Sequence, residues 1–204
     1  MEHRMSKRPF QDLLIETIRA PRDAAGRLID MNAPRDWLWM ALALMCVLNA
    51  ILYSVSLQLS PPSSEVSSMV PQAFQSPILF TIFLFGSLTI TVFVFKWIGQ
   101  SMGGAATLDD ILILLTWLQV LRLLFQGAVL ILSLVSLSLS ALLVFAGSVY
   151  GIYILAAFID RAHGFDNLLK ALGVMVLALV AIAVGLSIIL TVLGAVIMGG
   201  TGSV

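Results

Sequence analysis

The residues best suited to chemistry form one polar stripe inside an apolar stretch. They are spaced three or four positions apart, so on an α-helix they share one face: Thr116, Gln119, Arg122 and Gln126. Arg122 is the only charged residue between Ile111 and Ile159. A central arginine in lipid costs about 2.5–3.5 kcal/mol, which the surrounding apolar side chains offset. The sequence therefore predicts that the stripe faces other helices.

Two interpretations of the stripe stay open. Either it bonds helices to one another, or Arg122 lines a cavity for an anion or a lipid headgroup. No acidic residue lies at matching depth in the other apolar segments, so the sequence offers Arg122 no ion-pair partner. Amides, hydroxyls, free carbonyls, water or an anionic ligand would have to hold it.

Enzymatic and metal-dependent chemistry finds little support in the remaining residues. There are two histidines, His3 near the amino terminus and His163 in a late loop, and Cys46 is the single cysteine. The HExxH, GxSxG and GxxxxGK[ST] patterns do not occur. We therefore predict a non-enzymatic protein with no catalytic residue, metal or cofactor.

The composition places the chain in a bilayer. Of its 204 residues, 60% are hydrophobic and 11% charged, too little polar material for a hydrated surface. The run from Ile111 to Ile159 would reach about 74 Å as one helix, so it must fold back, and the turn is predicted among Ser133, Ser136, Ser138 and Ser140. Five spans are predicted, at 37–59, 78–98, 110–132, 139–159 and 168–198.

The basic residues predict the orientation. All 11 lysines and arginines except Arg122 lie in the amino-terminal tail or beside the connections after the second and fourth spans. The positive-inside rule then predicts a cytoplasmic arm at 1–36, a membrane domain at 37–198 and an external tail at 199–204. Acidic residues on the same side balance the basic ones, so no nucleic-acid partner is expected.

Apolar residues recur at helical spacing in the arm: Phe10, Leu13, Leu14, Ile18, Leu28 and Ile29. Pro21 interrupts this pattern and suits the first turn of a second helix. The fold class predicted is therefore an all-α integral membrane protein, with a bundle of five transmembrane helices preceded by short amphipathic interfacial helices. The arm is either a membrane-surface or partner-docking element or a solvated tail.

Small residues four positions apart occur in the last two predicted spans. Gly147 and Gly151 form one pair, and Ala181 and Gly185 form the other. Such pairs let helices approach closely, and we predict packing within the molecule rather than dimerisation.

Two loop phrases carry a family resemblance. Residues 97–110 read WIGQSMGGAATLDD, and residues 161–165 read RAHGF, followed by Leu168 and Ala171. With the order of spans, they resemble the Ypt-interacting protein (Yip) domain family, its bacterial branch most closely, over residues 10–198. The family-typical loop positions are Gly103, Gly104, His163 and Gly164.

The resemblance implies five spans behind a cytoplasmic arm, and no settled biochemical activity for bacterial members. Eukaryotic relatives bind small prenylated GTPases and one another in early secretory traffic and influence membrane shape. His163 either caps helix ends or contacts a partner or headgroup in a way that changes when its ring is protonated.

We expect a membrane-organising or partner-binding scaffold in a bacterial cytoplasmic membrane. Its expected partners are the lipid bilayer and either another membrane protein or a second copy of the chain. The alternative is a small transporter or channel subunit with an anion or headgroup site around Arg122.

Overall fold

The computed structural model describes residues 9–59 and 76–199, without the side chains of 189, 190 and 192–199. Its described residues form seven α-helices. In chain order they are α1 Pro9–Arg19, α2 Pro21–Asp30, α3 Arg35–Leu59, α4 Pro77–Ser101, α5 Leu108–Val135, α6 Leu137–His163 and α7 Leu168–Gly199.

The five long helices account for the apolar character of the chain. Each predicted span falls inside one of the helices α3 to α7. All five are long and apolar enough to cross a bilayer, α7 over Leu168–Ile188. The prediction of an all-α, multi-pass membrane protein is confirmed.

A single residue connects α5 to α6. Val135 ends one helix, Leu137 begins the next, and Ser136 lies between them with extended backbone. Its side chain accepts a hydrogen bond from the Leu139 amide at 3.4 Å, as a helix N-cap does. The fold-back predicted among the serines is confirmed at Ser136.

The two arm helices form as the sequence predicts, with Pro21 in the first turn of α2. They are not confined to lipid or solvent, however. Leu13 and Thr17 of α1 and Ala24, Ala25 and Leu28 of α2 are buried. Because α2 packs against both α5 and α6, one side of the arm belongs to the protein core.

The long helices form a closed ring in the order α3, α4, α7, α6 and α5, and α4 also touches α5. One end of this ring carries the α4–α5 and α6–α7 connections, and we call it the charged end. Apart from Arg122, the described charged residues lie there or on α1 and α2. The charged residues are therefore distributed as unevenly in the structure as in the sequence.

Packing is tight at the charged end and loose in the opposite half. Residues 111–117 of α5 and 156–160 of α6 are buried without interruption. Towards the other end, residues 141–150 of α6 are exposed except Leu143 and Gly147, and residues 179–188 of α7 are exposed except Ile182 and Gly185. We call this part of the ring, where α6 and α7 expose most of their circumference, the open half.

Candidate functional site

The two loop phrases meet in space around His163. Its imidazole is only 2% exposed and lies between two glycines. A Cβ atom at Gly99 would lie 2.1 Å from the ring atoms Cε1 and Nε2, and one at Gly104 would lie 2.3 Å from Nδ1. We call this arrangement of Gly99, Gly104 and His163 the His163 junction. The ring fits because neither neighbour has a side chain.

The backbone of the His163 junction accounts for Gly103 and Gly164, two of the loop positions predicted to be typical of the family. Gly103 has a φ of +89° and Gly164 a φ of +65°, conformations that favour glycine. Gly164 ends α6 in the left-handed conformation common after a helix. The Ala105 amide then donates to the His163 carbonyl at 3.1 Å, which joins the α4–α5 connection to the end of α6.

The imidazole packs as a flat apolar surface rather than as an exposed polar group. It stacks on Phe165 with ring centroids 5.1 Å apart and planes tilted by 14°. The Phe95 backbone interacts with it, but neither ring nitrogen has a hydrogen-bond partner of good geometry among the described residues. A ring enclosed in this way is not available to a partner or headgroup, so that interpretation of His163 is wrong for this conformation.

An ion-pair network ties α2 to the α6–α7 connection. Asp160 is 3% exposed, and its carboxylate lies 3.2 Å from the Arg22 guanidinium. The same carboxylate accepts from the Asn167 amide at 2.9 Å, and Arg22 also pairs with Asp166. Asn167 in turn accepts from the Leu169 amide at the start of α7. One buried carboxylate therefore links the arm to two membrane helices.

Trp117 of α5 anchors α1. Its indole nitrogen donates to the Thr17 hydroxyl at 3.0 Å, and its ring meets Phe10 edge-on at 5.6 Å. From α6, the Tyr150 hydroxyl donates to the Ile18 carbonyl. Trp117 and Tyr150 lie well inside α5 and α6 rather than at the helix ends. Helix α1 therefore runs beside the bundle rather than above it.

Further pairs connect the arm and the ends of the long helices. Arg27 of α2 lies 2.9 Å from Glu16 of α1. Arg35 at the start of α3 forms two hydrogen bonds with Asp109 of α5, at 2.6 and 3.0 Å. These pairs are partly or largely exposed. We therefore expect them to fix the relative positions of the helices more than to stabilise the fold.

The predicted polar stripe is divided. Thr116 and Gln119 are buried, Gln126 is half-buried and Arg122 is exposed. The Asn49 side-chain amide of α3 donates to the backbone carbonyl of Gln119 at 3.2 Å, an interhelical bond that does not use the Gln119 side chain. Asn49 is 1% exposed and was not predicted, although a lone asparagine inside the first apolar span is its sequence signal.

Arg122 differs from the other stripe members. Among the described residues it forms no ion pair and no hydrogen bond. Arg122 is therefore exposed although its neighbours Thr116 and Gln119 are buried. The α6 and α7 residues of the open half are also exposed, so these helices do not cover Arg122.

The small-residue pairs are packed unequally. A Cβ at Gly147 would lie 2.2 Å from the Phe125 ring of α5, so this glycine packs as predicted. A Cβ at Gly151 or Gly185 would meet nothing within 4 Å, and Ala181 is exposed. For these three residues the predicted close packing does not occur within the described protein.

A crevice inside the charged end is apolar throughout. It is lined by Phe95, Ile111, Leu114, Leu115, Leu118, Leu155, Phe158 and Ile159. In residues 9–59 and 76–199, no three His, Cys, Asp or Glu side chains are grouped as metal ligands. The interior at this level is suited to packing apolar groups rather than to conducting ions.

Comparison with protein families matches residues 15–189 to the Yip1 domain. This match covers most of the chain and includes both loop phrases. The chain belongs to the Yip1 domain family. Comparisons with curated proteins and with solved structures found no significant match. In this Yip1 domain protein the matched region runs from the middle of α1 into α7, so the domain includes most of the arm.

Proposed function

We propose that this Yip1 domain protein is a non-enzymatic scaffold that binds a membrane-associated partner through its arm and loops. The observation that carries the proposal is the docking of α1 and α2 onto α5 and α6. An arm held by the core can present a fixed surface, whereas a solvated tail cannot. The buried contacts at Thr17, Ala24 and Asp160 supply that fixation.

The residues of α1 divide into three sides. Leu13 and Thr17, four positions apart, face the bundle. Ile15 and Ile18 are exposed and apolar. Asp12, Glu16 and Arg19 share the remaining side of the helix. Such a helix suits the boundary of a membrane, with isoleucines towards lipid and charges towards water. We propose that the charged side binds the partner.

The same arrangement supports an orientation. We propose that the charged end lies on the cytoplasmic side of a bacterial inner membrane and that the carboxyl terminus is external, as the positive-inside rule predicts. The arm then faces the cytoplasm, where a membrane-associated partner can reach it.

Affinity purification of the full chain in mild detergent tests the scaffold. The wild type should retain a reproducible partner, and a variant with Asp12→Lys and Arg19→Glu should lose it because the charges of the binding side are reversed. Ser148→Ala, an exposed change on α6 in the open half, is the matched control and should retain the partner.

Flux measurements distinguish the transport alternative. The anion flux into liposomes that contain the purified protein should be no greater than the flux into protein-free liposomes. An anion flux that Arg122→Gln abolishes, together with unchanged partner binding in the charge-reversal variant, would refute the scaffold and support a transporter.

A further inference from the structure

Arg122 lies midway along the 28-residue helix α5. At about 1.5 Å per residue, about 20 Å of helix separates it from either end, farther than an arginine side chain extends. Charged residues at this depth are rare and mark functional sites or pathways. Its position therefore requires a polar partner within the membrane.

The spacing of α5 shows where Arg122 points. Leu115 and Leu118 line the apolar crevice against α4 and α6. Arg122 lies seven positions after Leu115 and four after Leu118, so it is on the same face of α5. On either side of it, the Gln119 backbone carbonyl accepts from Asn49 of α3 and the Phe125 ring packs against Gly147 of α6. Arg122 thus faces the interior of the ring, between α3 and α6.

The interior is open at this level. Residues 141–150 of α6 and 179–188 of α7 leave most of their surface uncovered by described side chains. The crevice above Arg122 ends at Leu118, so the guanidinium stands where an enclosed apolar interior becomes an open one. The neighbouring walls are mostly apolar; outside the stripe they include Asn49 of α3 and Ser148 of α6.

The polar groups nearest in sequence and depth cannot neutralise this charge. Gln119 and Asn49 are uncharged, and each has a buried side-chain oxygen without a hydrogen-bond partner among the described residues. The described carboxylates lie on the arm or at the charged end. An anionic oxygen brought by a ligand would satisfy the guanidinium, and a hydroxyl on that ligand would satisfy one of the amide oxygens.

We propose that the open half binds an anionic amphiphile, with its phosphate or carboxylate on Arg122 and its acyl chain along the apolar walls. The charge selects an anionic headgroup, and the walls select a hydrocarbon body. The ligand enters from the leaflet opposite the charged end. This site is independent of the scaffold surface proposed for the arm, so either proposal can fail alone.

The test measures lipid retention by the purified full-length protein in neutral detergent. Fluorescent phosphatidylglycerol, phosphatidylcholine and palmitate serve as probes. The wild type should bind at least one anionic probe about tenfold more tightly than phosphatidylcholine, the difference that one charge-assisted contact supplies. Arg122→Gln should lose this preference and Arg122→Lys should keep part of it. Preference for phosphatidylglycerol or for palmitate identifies the source of the headgroup.

Arg35→Gln is the matched control, because it removes one arginine from the charged end. It should retain the wild-type preference for the anionic probe. All variants should show the elution volume and the cooperative thermal unfolding of a folded protein. Equal binding of anionic and neutral probes by wild type and Arg122→Gln would overturn the proposal.

Two further outcomes would also overturn it. If Glu65→Gln, a change outside the described residues, creates an anionic preference that the wild type lacks, Arg122 is held by an internal ion pair. If Arg122→Gln changes the oligomeric mass in lipid-free micelles but not lipid retention, Arg122 joins copies of the chain.

Discussion

At the scale of single residues, His163 is positioned by what its neighbours lack. Gly99 and Gly104 leave a space that the imidazole fills, and Phe165 covers one face of the ring. The sequence singled out His163 and Gly104 but missed Gly99, because a glycine inside an apolar helix carries no signal of the residue that will pack on it. Contacts between distant segments determine such positions.

Gly99→Ala should destabilise the protein. The added methyl group would overlap the imidazole, so the ring or the helix must move, and overpacking of this kind costs about 1–3 kcal/mol. Thermal unfolding in detergent should show a lower midpoint. In the Gly99→Ala, His163→Ala double variant the two losses should be less than additive, since the overlap disappears.

Gly127→Ala provides the control, because a Cβ at that position of α5 meets nothing within 4 Å. It should leave the midpoint unchanged or raise it slightly, as alanine favours helix. A fall equal to that of Gly99→Ala would mean that the His163 junction has no special role.

Trp117→Phe should loosen the arm. The change keeps an aromatic ring near Phe10 but removes the hydrogen bond to the Thr17 hydroxyl, worth about 1 kcal/mol. Limited proteolysis within α1 and α2 should then become about five times faster, because local opening follows that free energy. Trp97→Phe, at an exposed indole, should leave the cleavage rate unchanged.

At the scale of elements, the arm shows why helical periodicity predicts a helix but not its surroundings. The pattern at Phe10, Leu13 and Ile18 is the same whether an apolar side meets lipid or protein. The structure assigns Leu13 to the core and leaves Ile18 exposed. The boundaries at Pro21 and Ser136 were predictable, because proline and serine act locally at helix starts.

Cysteine accessibility tests the three sides of α1. Cys46 is buried and is the only cysteine. In a Cys46→Ala background, each variant therefore contains only the cysteine that was introduced. A water-soluble maleimide should label Asp12→Cys rapidly, Ile15→Cys slowly and Leu13→Cys least. Equal labelling of all three would show that α1 is a solvated tail.

At the scale of the whole molecule, hydropathy predicted the number and length of the long helices because each apolar segment matches a bilayer. It did not predict the unequal packing of the two halves. Residues 111–117 are apolar and surrounded by protein, whereas Leu142 and Leu179 are equally apolar and exposed. Hydropathy cannot separate these environments, and so it gave no sign that Arg122 would be exposed.

Topology reporters test the proposed orientation. With five spans, a fluorescent protein that folds only in the cytoplasm should be bright at the amino terminus and dark at the carboxyl terminus. A truncated chain ending at Gly164, after α6, should restore fluorescence to a carboxyl-terminal fusion. A bright fusion to the full-length carboxyl terminus would contradict the orientation.

The one-residue connection at Ser136 has a mechanical consequence. It tethers α5 to α6 at the end where the ring is otherwise loose, so the two helices cannot separate there. Arg122, which lies on α5, therefore keeps α6 as its neighbour on that side of the ring.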